Sequence, residues 1–376
     1  MPSRIPTLAL LALLAGSVPA AAAVTTAAEL EALVQAGKAE EAIEQGRAAV
    51  LAKPDDVDLR LALARALAAK ARRFNHVVNV KLSQADLDKG TLNVPSSKLG
   101  DSPLQVGYEA GPYEEAILNL DEGIKRAPTR EDVRVFKCFL LTDGARIDRA
   151  KIAIVDTLAA LPKTPQLAKT MAAFAAERTK RNDPEGGAKL LAPVVAAFPR
   201  DGAALADYGN ILTRLGRKQE ADSMFDRVSL LAPSDVRFQR MRAMSSMLLR
   251  DFSRAQSAFD SVYRLSKDPQ DRFASFAAAY GVNPKESVAF MAQLTAPSAS
   301  ANPSESELAR DFALAGNGGA TSPPALGLAR KLVDNKQLVL AIPVLDRALK
   351  ADPKLTEMKT LLANVYTTLG CERLAK

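Results

Sequence analysis

The residues of this chain that could do chemistry are few. One histidine, His76, and two cysteines, Cys138 and Cys371, supply its imidazole and thiols. A two-histidine metal site or a histidine relay is excluded by that count. His76 stands in a run where Phe74, Val78 and Val80 alternate with polar residues, so packing or hydrogen bonding within a strand is its expected role. The carboxylate pairs Glu40 with Glu41, Asp55 with Asp56 and Glu114 with Glu115 could share a proton in acid–base work. Each begins a helical segment, however, where negative charge complements the positive end of the helix dipole. Gly186–Gly187 and Gly318–Gly319 are simple loop pairs, and no P-loop or dinucleotide fingerprint occurs. No catalytic residue, cofactor or metal is expected, and function is expected to lie in surfaces.

The elements that position such surfaces follow from composition and period. With no tryptophan and 5% aromatics, the alanine-rich chain suits many close-packed helices better than a large sheet. A formal charge of +7 is modest for this length, and acids alternate with bases along the helices, so nucleic acid is not an expected partner. The N-terminus reads as a secretory signal over residues 1–23: Arg4, an apolar stretch from Leu8 to Ala15, then Gly16, Pro19 and Ala20 to Ala23. Cleavage is expected after Ala22 or Ala23. The apolar stretch is short for a bilayer span, and no cysteine follows to take a lipid, so a periplasmic or secreted chain without a transmembrane span is expected; a retained anchor is the alternative.

Alanines in a common helical setting recur at Ala42, Ala116, Ala150, Ala188, Ala221, Ala255, Ala289, Ala341 and Ala375, with spacings of 74, 34, 38, 33, 34, 34, 52 and 34. Small residues precede them by twelve places at Cys138, Ala176, Gly209, Ala243, Ala277, Ala329 and Ala363. Prolines follow by twelve at Pro54, Pro128, Pro162, Pro233 and Pro353, with Pro199 one place early, and Gly37, Gly111, Gly216 and Gly370 stand five places before. This pattern describes an antiparallel helix pair: small residues let two backbones approach, glycine makes the left-handed turn, and proline ends the second helix. Such a pair buries its apolar face only against copies of itself.

These units resemble the tetratricopeptide repeat family. The clearest copy runs from Gly202 to Asp235, with Leu205, Tyr208, Gly209, Leu212, Gly216, Ala221, Phe225 and Pro233; another carries Phe273, Phe276, Ala277 and Tyr280 before Ala289. The resemblance spans about residue 24 to the end and departs from the family pattern near Asn182 to Pro184 and after Ala296. It implies an all-α, right-handed superhelical solenoid of antiparallel helix pairs, with a small β-hairpin inserted. It also implies a groove lined by the first helices that holds a protein or peptide partner. The groove candidates are Arg65, Phe139, Lys169, Asn210, Arg240, Met244, Met247, Arg330 and Asn364. Asn210 followed by Arg240 echoes a family clamp for a terminal carboxylate, although Ala206 stands where the preceding base belongs.

Two insertions interrupt the period. Residues 73–110 are expected to form a hairpin, with strands over Phe74 to Leu82 and Thr91 to Val94, then a loop from Pro95 to Gly111. Phe74, His76, Val78 and Val80 form a second candidate surface. Residues 304–321 are expected to form a short helix, Glu305 to Ala315, and a flexible linker between a solenoid over 24–303 and a C-terminal unit over 322–376, and the serine- and proline-rich Ala296 to Ser304 before it is the likeliest joint. Cysteines in distant units are not expected to pair, and Cys138 occupies a small buried position. The leading functional expectation is an exported scaffold that holds a cell-envelope complex. The alternative is a small-molecule or glycan-binding component of transport or polymer export.

Overall fold

In the computed structural model, residues 25–76, 104–285, 287–288 and 303–375 are described. They form two compact units that divide between Leu161 and Pro162.

The first unit stacks three helix pairs. These are α1 (Ala27–Gln35) with α2 (Ala39–Ala52), α3 (Val57–Ala71) with α4 (Ala110–Arg126), and α5 (Glu131–Asp143) with α6 (Ile147–Ala160). Thr26 and Glu29 close a capping box on α1, and the Asp56 carboxylate accepts from the Leu59 amide at the start of α3, each such cap contributing about 1 kcal/mol. Between α3 and α4 runs an antiparallel ribbon of β1 (Arg72–His76) and β2 (Leu104–Tyr108), with Arg72 opposite Tyr108 and His76 opposite Leu104. The ribbon corrects one expectation. Its second strand lies inside the segment read as loop, immediately before α4, and strand-forming Leu104, Val106 and Tyr108 alternate there. The expected strand at 91–94, together with Val78 and Val80, lies outside the described residues.

The second unit continues with α7 (Pro165–Lys180), α8 (Pro184–Ala197), α9 (Gly202–Arg214), α10 (Lys218–Leu231), α11 (Val236–Leu248), α12 (Phe252–Ser266) and α13 (Pro269–Val282). It then adds α14 (Pro303–Gly318), α15 (Pro323–Asp334), α16 (Leu338–Ala351), α17 (Thr356–Thr368) and a 3-10 turn (Glu372–Ala375). Asp201, Asp235 and Asp268 accept backbone amides at the starts of α9, α11 and α13.

Helices α2, α4, α6, α8, α10 and α16 each stop two residues before Pro54, Pro128, Pro162, Pro199, Pro233 and Pro353. The turns between paired helices also repeat one geometry. A residue with positive φ occupies each, at Gly37, Ala145, Asn182, Gly216, Arg250, Lys336 and Gly370. The next residue's amide reaches back five places, as from Lys38 to the Leu33 carbonyl at 2.9 Å and from Asp251 to Ser246 at 2.9 Å, which satisfies a carbonyl left open by the helix end. Gly111 is absent from this series because the inserted ribbon replaces its turn, and it lies in the first turn of α4.

One repeat carries a different register from that expected. In α8 the equivalent small residue is Gly187, five places after the turn residue Asn182, rather than Ala188. A Cβ on Gly187 would lie 2.9 Å from the Ala175 carbonyl oxygen, so here two backbones meet. Ala175 then stands twelve places before and Pro199 twelve after, which removes the apparent irregularity of that proline. At the C-terminus, Ala375 ends a 3-10 turn rather than repeating the packed second-helix position, and Ala289 lies outside the described residues.

The joint expected at Ala296 to Ser304 lies, but for its last two residues, outside the described residues, and the short helix expected after it is present as α14, packed into the core. Helix α14 runs through Gly316, where a Cβ would lie 2.6 Å from the Pro284 carbonyl oxygen. Leu308, Ala309, Phe312 and Ala315 are buried in one cluster with residues of α12, α13, α15 and α16.

Candidate functional site

The face expected to receive a partner consists of the first helices of successive pairs. In the first unit, Arg65 of α3 pairs with Glu31 of α1 and lies 5.7 Å from the Phe136 ring centroid. Phe136 stacks on Phe139 at 6.0 Å, leaving Phe139 partly exposed. Both predicted residues therefore share this face. The ribbon is fastened to the same helix layer by the Tyr108 hydroxyl, which donates to Asp143 of α5 at 2.5 Å, and α4 by the Tyr113 hydroxyl, which donates to the Leu140 carbonyl at 3.1 Å. Burial, with the bond to the Asp143 carboxylate, raises the Tyr108 pKa. Phe74 and His76 lie in β1.

In the second unit, much of that face is occupied by the chain itself. Helix α16 packs on α11 and α13, and the 3-10 turn packs on α9. Arg250, in the turn after α11, holds this arrangement. Its Nε donates to the Tyr366 hydroxyl at 3.1 Å and its Nη2 to the Leu374 carbonyl at 3.1 Å, while its guanidinium lies 5.4 Å from the Tyr366 centroid. Tyr366 in turn donates to the Leu248 carbonyl at 3.0 Å, and Arg373 pairs with Glu185 at 3.0 Å.

This packing corrects one groove assignment. Met247 is fully buried and belongs to the core shared by α11 and α16. Arg240, partly exposed, makes a bidentate pair with Asp271 at 2.7 and 2.5 Å, so its guanidinium also ties α11 to α13. Burial alone would raise the Asp271 carboxyl. The bonds from Arg240 and the Ser266 hydroxyl, with the Arg240 charge, outweigh it and hold the pKa below its usual value. Arg330 is exposed and pairs with Glu357 at 2.5 Å, while Lys169 and Asn364 are exposed on α7 and α17.

Asn210 and Met244 are brought together. They line a cavity of about 450 Å³ whose walls also include Leu191, Ile211, Met241 and Leu248, with Val339, Leu369 and Cys371 contributed by the C-terminal segment. Lys180, Asp207 and Arg214 add charged side chains to its lining. Sequence reasoning missed these three, although Asp207 and Arg214 flank Asn210 at helical spacings of three and four, which place them on one face. Asp207 reaches solvent, yet burial of the surrounding surface and then the nearby Asp201 charge raise its carboxyl pKa. Cys138 and Cys371 are both buried free thiols. Burial pushes the Cys138 thiol up to about 11. Among the described residues, no group of three or more His, Cys, Asp or Glu side chains is placed to hold a metal, and no helix is long and apolar enough to cross a membrane.

Residues 179–244, which include α8 to α10 and this cavity's floor, match the family model for the tetratricopeptide repeat. Residues 179–244 thus carry tetratricopeptide repeats. No curated protein matches it. Among solved structures it is similar to YrrB, described as a TPR protein with an unusual peptide-binding site, at 13% identity over 61% of this chain and 96% of that one, with a TM-score of 0.32. The TPR domain of P58(IPK) matches at 14% identity over 92% of this chain and 88% of that one, with a TM-score of 0.30. Naa15/Naa10 bound to HypK-THB matches at 12% over 93% and 56%, with a TM-score of 0.42. Within the matched repeat, Gly209 meets Phe225 as the spacing requires: a Cβ there would lie 2.8 Å from the ring.

Proposed function

We propose that this protein is an exported interaction scaffold that binds a protein partner and serves in assembly or maintenance of a cell-envelope complex. The observation that carries the reading is the tetratricopeptide repeat itself, matched over residues 179–244 and extended by helix pairs that share its turns and proline stops. Such pairs form a stacked surface, and helical scaffolds of this kind hold peptide or helical segments in grooves. Export is supported by the sequence of residues 1–23, a basic start, an apolar stretch and a run of small residues.

The test is affinity capture from a native envelope extract at physiological salt, with the mass of the retained chain measured in the same sample. A chain beginning at Ala23 or Val24 that retains a defined protein supports both parts of the reading. The same capture with residues 77–103 replaced by a short glycine-serine link, and with Phe74→Ser and His76→Ser, separates the two candidate surfaces, since positions 76 and 104 are already paired across the ribbon. Capture lost with that segment places the partner on the insertion, and capture retained favours the helix faces. A full-length chain found in the cytoplasm, or no partner for either form, would refute the proposal.

A further inference from the structure

The cavity between α7, α9 and α11 carries an inference that is independent of the protein partner. Its volume of about 450 Å³ lies within the few hundred to about 1,000 Å³ typical of small-molecule sites. Its lining is mainly aliphatic and thioether, from Leu191, Ile211, Met241, Met244 and Leu248. Methionine side chains adapt to ligands of irregular outline. The C-terminal segment supplies one wall through Leu369 and Cys371, held there by Arg250 and Arg373.

The charges at this cavity are unusual for the chain. Half-buried guanidiniums elsewhere have partners: Arg240 bonds to Asp271, Arg242 pairs with Asp226, and Arg347 bonds to the Gly281 carbonyl. Arg214 is half-buried without a hydrogen-bond or ion-pair partner among the described residues. Lys180, exposed on the same cavity, has no ion-pair partner among the described residues either, and the Asn210 amide can add a donor. A desolvated guanidinium gains most from a planar oxyanion. Asp207 lies seven residues before Arg214 on α9, about 10 Å away along the helix at 1.5 Å per residue. The charge that acts on it is Asp201 rather than a base. The cavity therefore favours negative charge at one end and opposes it at the other.

We propose that this cavity binds a small organic monoanion with an apolar chain, its carboxylate held by Arg214, Lys180 and Asn210 and its chain lying on Ile211, Met241 and Met244. The test is isothermal titration of the full chain with decanoate, below its micelle concentration, alongside decylammonium and decanedioate. Decanoate is expected to bind saturably at one site, at least tenfold more tightly than either comparison ligand. Arg214→Gln is expected to weaken decanoate about tenfold, the scale of one lost charge-assisted contact, without shifting the melting temperature. Arg217→Gln, whose guanidinium is paired with Glu220, is expected to bind decanoate as the unmodified chain does. Absence of saturable decanoate binding, equal affinity for decylammonium, or unchanged affinity in Arg214→Gln would overturn the proposal. Tighter binding of N-acetyl-trileucine acid than of decanoate would also overturn it, by assigning the cavity to a peptide terminus.

Discussion

Glycine and alanine should exchange places as the more stable residue at two helical positions of the second unit. At Gly209 a methyl group would stand 2.8 Å from Cζ and 2.9 Å from Cε2 of Phe225. That ring is 1% exposed and packs with Leu212 and Ala221, so it has no free volume into which to retreat. Helix propensity favours alanine over glycine by about 1 kcal/mol, while overpacking costs about 1–3 kcal/mol. The net for Gly209→Ala is a loss of about 1 kcal/mol, or about 2–4 °C in a unit of this size. Gly209→Leu should lose more, since the added atoms point into the same ring. At Gly327, exposed on α15, a Cβ meets nothing within 4 Å. Gly327→Ala should therefore keep its propensity gain of about 1 kcal/mol and melt higher by a similar interval. Thermal and urea unfolding followed by far-ultraviolet circular dichroism measure both. A Gly209→Ala chain as stable as the unmodified one would show that the helix pair is looser than the 2.8 Å approach implies.

Other consequences are as direct. Arg250→Ala removes two hydrogen bonds, the stacking on Tyr366 and the 3.5 Å ion pair with buried Asp346, a loss of about 2–3 kcal/mol after allowance for its partial exposure and for Lys350, which still pairs with Asp346; amide exchange should quicken over residues 366–375 and stay unchanged in α10. Because the Asp271 carboxyl is held below its usual pKa, its contribution is present above the ordinary aspartate value near 4 and is lost as pH falls through the lowered one. Asp271→Asn should accordingly flatten the acid limb of stability against pH, and an unaltered limb would refute the assignment. Cys138, buried and raised to about 11, should resist alkylation at neutral pH until the first unit unfolds; labelling of the native chain at the rate of a free peptide thiol would contradict its placement.

What was legible in the sequence was what local rules determine. Proline two places after a helix end and glycine in a left-handed turn need no tertiary partner to be read. The turn residues Ala145, Arg250 and Lys336 were not legible, because a side chain in the left-handed region costs about 1–2 kcal/mol and reads as an unlikely choice. They are held there by the same five-place backbone bond that the glycine turns make. The register at α8 was hidden for a different reason: Ala188 next to Gly187 offers a plausible alanine, and only the approach of Gly187 to the Ala175 carbonyl distinguishes them. The ribbon's partner strand was misplaced because its pairing closes across residues 77–103, a separation that alternation within one strand cannot specify.

The site was less legible than the fold, and Arg240, Met247 and Arg214 show why. A periodic reading places side chains on the first-helix face but does not say what else lies on that face. Arg240 was read as a partner contact, yet two of its three guanidinium nitrogens, Nε and Nη2, bond to Asp271 on α13. Met247, three residues beyond the half-exposed Met244, is sealed into the core by α16, which returns from a hundred residues later in the chain. Arg214 had no motif to recommend it, and its distinction is that nothing in the described fold answers its charge. A basic residue in a repeat face is thus informative through its pairing: those with carboxylates across the stack hold the repeats together, and one left half-buried without an anion marks where a ligand can add what the fold lacks.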